Sequence, residues 1–176
     1  MGKMSKRKGN SFELSVAKAM SEWLGFNVRR TPRSGAYGTE GVQSLTGDLM
    51  FDFDFPYVVE CKHRESWRLE DVFAGKGEVW EWWAKLSEEA KAASKQPMLI
   101  IKRNRVEPMV ILPGQNSLAY ETATSRDSTS YICIGGRTVL WLADVLRQEP
   151  PGGRRIDHAT EEALPWGPER WPVVGG

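Results

Sequence analysis

The run Tyr57-Val58-Val59-Glu60-Cys61-Lys62-His63 constrains the fold more than any other stretch of the chain. Its aromatic and β-branched start reads as a strand. Side chains on a strand alternate between faces, so Glu60 and Lys62 project one way and Val59 and Cys61 the other. Upstream, Gly47-Asp48-Leu49-Met50-Phe51 opens a second apolar strand, over about 48–53, and Asp54-Phe55-Pro56 turns the chain between the two. If these strands pair as a hairpin, Asp48 joins Glu60 and Lys62 on one face. Two carboxylates offer hard oxygen ligands to a divalent cation, and an ammonium beside them can hold or activate a water. That combination suits cleavage of a phosphodiester. Taken alone the spacing is weak, because acids and bases often share the wet face of a strand.

The charge distribution points the same way. The formal net charge is only +1, but it is unevenly divided. Residues 1–33 carry eight Lys and Arg against Glu13 and Glu22, a net +6, while residues 34–60 carry five carboxylates and no cation. A basic arm (Lys3, Lys6, Arg7, Lys8) beside an acidic centre suits a metal-dependent enzyme acting on a polyanion. The plain alternative is that charges cluster by chance in short windows and the arm only aids solubility.

The remaining pattern gives an α/β protein. Phe12, Val16, Met20 and Leu24 recur every four residues and predict an amphipathic helix over about 10–24, stopped by Gly25. Phe26-Asn27-Val28-Arg29-Arg30 reads as a short strand, and 31–46, rich in Gly, Ser, Thr and Pro, as a loop. Val79, Trp83, Leu86, Ala90 and Ala93 mark a helix over about 76–94. Strands at 98–102 and 108–113 follow, joined by the cationic turn Arg103-Asn104-Arg105. Residues 114–130 are polar and poorly patterned; 131–134 and 138–141 suggest further strands, and 142–148 a short helix. This order fits a mixed central sheet flanked by helices. The expected domain spans 1–148, and 149–176, which hold five of the ten prolines, read as a Pro/Gly-rich tail.

Several classes are disfavoured. No run approaches the ~18 apolar residues of a membrane helix, and the basic start lacks the apolar core of a secretion signal. The chain has two cysteines and two histidines, without a Cys-x-x-Cys pair, which argues against zinc. A reducing, cytoplasmic setting fits best, though two cysteines leave a disulfide open.

Lys8-Gly9-Asn10-Ser11-Phe12-Glu13, Arg30-Thr31-Pro32-Arg33-Ser34-Gly35-Ala36, Gly47-Asp48 and Glu60-Cys61-Lys62 together resemble the archaeal-type Holliday-junction resolvases of the PD-(D/E)xK nuclease superfamily. The resemblance covers about 8–112. Gly47 replaces the usual proline before the catalytic aspartate, and the 35–47 loop is longer than usual. The resemblance implies a restriction-endonuclease-like core, on which Asp48 and Glu60 bind Mg²⁺ (Mn²⁺ as substitute), helped by the Cys61 carbonyl. Glu13 would add a carboxylate directly or through water, Lys62 would position the attacking water or stabilise developing charge, and Ser34 would touch the phosphate. In-line hydrolysis would leave a 5′-phosphate. Lys6, Arg7, Lys8, Arg30 and Arg33 would contact DNA.

Each role has a plainer alternative. Glu13 suits the first turn of a helix and Ser34 a turn. Asp52 and Asp54 share the strand parity of Asp48 and could compete as ligands. His63 reads as a flanking solvated residue. Among Trp80, Trp82 and Trp83, one or two belong to the core and the remainder could line a dimer contact. The expected activity is resolution of branched DNA by a homodimer, in the host cytoplasm if the protein is phage-encoded. A restriction-type or repair nuclease, a non-cutting DNA-binding module and an RNA-directed enzyme are the rivals.

Overall fold

A computed structural model describes residues 3–32, 46–114, 117–125 and 131–151, the side chains of 3–6 and 117 excepted. Helix α1 (Lys3–Leu24) buries Phe12, Val16, Ala17, Ala19, Met20, Trp23 and Leu24. It begins earlier than its apolar period. The basic run expected as an arm is instead the first turns of the helix, because Lys, Arg and Met are good helix formers and no proline intervenes.

Strands β1 (Val28–Arg30) and β2 (Leu49–Phe51) form a two-stranded antiparallel sheet. The second sheet has five strands in the order β3-β4-β5-β7-β6, where β3 is Tyr57–His63, β4 Gln96–Lys102, β5 Met109–Pro113, β6 Tyr131–Ile134 and β7 Arg137–Trp141. Strands β3 and β4 are parallel and the other neighbours antiparallel, so the sheet is mixed. A parallel pair needs a long crossover. Here it is made by α2 (Leu69–Phe73) and α3 (Glu78–Ala92).

Both faces of the sheet are covered, which is why Met98-Leu99-Ile100-Ile101 is apolar without alternation. Val59, Cys61, Met98, Ile100, Val110 and Leu140 pack against α1, α4 (Ser117–Thr124) and α5 (Leu142–Val145). Val58, Leu99, Ile101, Ile111 and Val139 pack against Val79, Trp83, Leu86 and Ala90 of α3. The Trp23 indole donates to the Gln148 carbonyl at 2.7 Å, tying the end of the described chain back to α1.

The α/β architecture with a helix-flanked mixed sheet is as expected. The hairpin is not. Strand β2 pairs with β1, and only one backbone bond, from the Asp48 N–H to the Val59 carbonyl at 2.8 Å, links its entry to β3. The chain between β2 and β3 is taken up by stacking of Phe51 on Phe55, with ring centroids 4.3 Å apart, rather than by a ladder. Helices α2 and α4 were not legible in the pattern, and β7 inserts between β5 and β6, so β6 and β7 complete the main sheet. Ser34, Arg33 and the expected tail from 152 onward lie outside the described residues.

Candidate active site

The site begins with a glycine. Gly47 has φ +83°, and a Cβ there would stand 2.6 Å from the Val59 carbonyl oxygen. No other residue allows this backbone both its left-handed turn and its approach to β3. The approach delivers Asp48, whose main chain is clamped from both sides. Its N–H donates to Val59 and its carbonyl accepts from the Thr31 N–H, each at 2.8 Å. Its side chain then accepts the Cys61 N–H at 2.8 Å through Oδ2. Asp48 therefore sits at the seam of the two sheets, on the edge of β3 rather than on its face. The N–H and carbonyl of one strand residue face the same edge, so the Cys61 carbonyl lies on this edge too.

Glu60 and Lys62, two residues apart on β3, form an ion pair. Glu13 comes from α1 and is only 7% exposed, so its charge requires a partner. That partner is Arg30 of β1, whose guanidinium Nε donates to Glu13 Oε2. Three elements, α1, β1 and β3, thus converge on Asp48 at the entry to β2. Its carboxyl is raised from 3.8 to about 6, first by burial, then by the Glu60 carboxylate and more weakly by Glu13, against the opposing Cys61 N–H and Lys62. Lys62 and Arg30 offset part of this gathered negative charge.

Among the described residues, no group of three His, Cys, Asp or Glu side chains is drawn together as a metal cage. Glu13 engages Arg30 and Glu60 engages Lys62. The donor chemistry nonetheless fits a hard divalent cation, with carboxylate oxygens and one strand carbonyl around a carboxyl that resists ionising without a counter-charge.

The two competing carboxylates, Asp52 and Asp54, engage other residues, and neither acts on the Asp48 carboxyl. Asp52 binds Asn27 and Arg29 across the β1–β2 pair, and Asp54 pairs with Lys95 at 3.0 Å. Cys61 and Cys133 are both free thiols, and burial pushes the Cys61 thiol well up, so it is unreactive packing. Trp83 is core. Trp80 donates to the Val72 carbonyl at 3.0 Å and carries the Arg137 guanidinium over its ring. Of the expected DNA cations, Arg7 and Lys8 are exposed on α1, while Arg30 is committed to Glu13. That pairing was missed in sequence because nothing in spacing links position 13 to position 30.

A helix-flanked mixed sheet with Asp48 anchored at the edge of β3, beside Glu60 and Lys62 of that strand, matches the pattern of the PD-(D/E)xK class of nucleases. Residues 4–137 match the family described as “Phage putative PDDEXK endonuclease”, and the chain belongs to that family. The curated proteins contain no match. Among solved structures, the chain is similar to Hjc, a Holliday junction resolvase from the archaeal hyperthermophile Archaeoglobus fulgidus. The identity is 12%, over 78% of this chain and 91% of that one, with a TM-score of 0.36. Among the described residues no helix is long and apolar enough to cross a membrane.

Proposed function

We propose that the protein is a Mg²⁺-dependent endonuclease that cuts branched DNA, four-way junctions above all, as a homodimer. The observation that carries the catalytic part is the anchoring of Asp48 on the edge of β3, within the field of Glu60, Lys62 and Glu13. Asp48 and Glu60 would hold the Mg²⁺, or Mn²⁺ in its place, with Glu13 joining directly or through water. The bound ion supplies Lewis acidity and makes a water acidic enough to attack at neutral pH.

The chain's own residues do the rest. Gly47 and the Cys61 N–H fix the Asp48 carboxylate before substrate arrives. Arg30 holds Glu13 in reach and keeps its charge from being stranded. With Glu60 among the residues that would hold the ion, Lys62 would direct its ammonium at the attacking water or the charge developing on the phosphate. Attack in line would leave a 5′-phosphate.

Support for branched DNA is indirect. The described residues form a two-stranded and a five-stranded sheet with their helices and include no separate base-reading module, so selectivity would come from shape and phosphate placement. A four-way junction has approximate two-fold symmetry, which a two-fold dimer matches with paired cuts. Labelled four-way junctions and linear duplex of the same sequence, incubated with Mg²⁺, test this reading. Paired symmetric nicks confined to the junction are expected. Equal cutting of duplex sinks the junction preference and favours a restriction-type or repair enzyme. No cutting with Mg²⁺ or Mn²⁺, with DNA binding intact, favours a non-cutting module.

A further inference from the structure

The turn after β4 contains a conformation its residue does not favour. The Val106 N–H donates to the Arg103 carbonyl, so 103–106 form a hydrogen-bonded β-turn, and Arg105 has φ 59°. That is the pattern of a type II turn, whose third position takes Gly or Asn. An arginine there is strained by about 1 kcal/mol or more. Its guanidinium is exposed, and no hydrogen bond or ion pair holds it among the described residues.

A polar hub fixes this turn to the rest of the molecule. Asn104 Oδ1 accepts from the Lys8 ammonium of α1 at 3.4 Å and lies 3.2 Å from His63 Nε2 at the end of β3. The Asn104 N–H donates to Glu65 at 2.8 Å, and Arg103 is held by the Trp67 carbonyl and ring. Because β3 and β4 are parallel, with His63 level with Lys102, the turn leaves the sheet at the end nearest Lys62. At ~3.3 Å per residue, Glu60 lies about 10 Å below that end, a span of roughly three nucleotide steps.

We propose that Arg105, with Arg7, Lys8 and Lys102, forms a phosphate-binding shelf that seats the DNA backbone beside the cut, and that Asn104 is its positioning residue. Glu65, a carboxylate beside the shelf, is turned to the Asn104 N–H. This rests on the DNA reading above and adds where the duplex lies: across the first turns of α1 and the β4–β5 turn.

Arg105→Gly separates binding from folding, since glycine is the residue the turn itself favours. Binding of a fluorescein-labelled four-way junction is measured in EDTA by anisotropy across a salt titration. Arg105→Gly should weaken affinity about fivefold to tenfold at low salt and lower the slope of log K against log salt by about one, with thermal stability unchanged or raised. Lys85→Ala, on the outer face of α3, should change neither. Asn104→Ala should raise KM for cleavage while leaving kcat at saturating DNA unchanged. An unaltered salt slope in Arg105→Gly, or an equal loss in Lys85→Ala, overturns the shelf while leaving the nuclease reading intact. Wild-type protein that binds no DNA overturns both.

Discussion

Helices α1 and α3 cover opposite faces of the same sheet, and they do it differently. Helix α3 buries only apolar side chains, Val79, Trp83, Leu86 and Ala90, and sends Glu81, Lys85 and Glu88 to solvent. Helix α1 buries a comparable stripe but includes the carboxylate Glu13, whose charge Arg30 of β1 offsets. Along α3 itself, apolar period and burial agree. The α1 side breaks several rules of local consistency within a few ångströms: a buried acid, a left-handed glycine pressed on a strand, and a carboxyl that resists ionising. Folding alone does not ask for such features, and their concentration supports the proposal that chemistry is done here.

Substitutions on the two sides should therefore separate activity from stability. Asp48→Asn, or Gly47→Ala, which displaces Asp48, should lower cleavage by about 10³-fold or more, since either removes charge from the reacting centre. Lys62→Ala should do the same to cleavage while DNA affinity is kept. On the other face, Leu86→Ala should destabilise by about 2–5 kcal/mol and leave the rate per folded molecule unchanged. Denaturant melts paired with single-turnover rates measure both, and a loss of activity matching the loss of stability on both faces would erase the distinction.

Next in size is the Glu13–Arg30 pair. Arg30→Ala strands a buried carboxylate and should cost about 3 kcal/mol. Adding Glu13→Gln to it should recover more than half. Additive destabilisation in that double variant would show that the pair is incidental.

The smallest effect is in pH. A carboxyl raised from 3.8 to about 6 keeps its proton longer in the folded state than in the unfolded one. Its contribution to stability is complete below pH ~4 and is lost as pH rises through about 6. Relative to Asp48→Asn, whose amide oxygen can still accept the Cys61 N–H, the wild type should lose up to about 3 kcal/mol over that window without divalent ions. Mg²⁺ at neutral pH should restore it by mass action. Parallel stability curves for the two proteins from pH 4 to 7 would contradict this.

What could be read beforehand divides along the same line. The α3 face was legible because period and burial agree at every position. Strand β3 was legible because Tyr57-Val58-Val59 admits little else, and Glu60 and Lys62 followed from its parity. The pairing of β2 was misjudged because adjacency in sequence favours a hairpin, whereas Gly47 lets Asp48 reach β3 by a single backbone bond while β2 pairs with β1. The Arg30 partner and the Asn104 hub depend on contacts between residues 17 and 96 positions apart, for which one sequence holds no signal. Helix α4 hid in a weak pattern because, among its described side chains, only Leu118, Ala119 and Thr122 are buried.

The most direct test of the central claim is cleavage of end-labelled DNA by wild type and Asp48→Asn, with and without Mg²⁺. The account predicts cuts ending in 5′-phosphates only from wild type with the metal present. Cutting that persists without a divalent ion, or an Asp48→Asn protein as active as wild type, would contradict it.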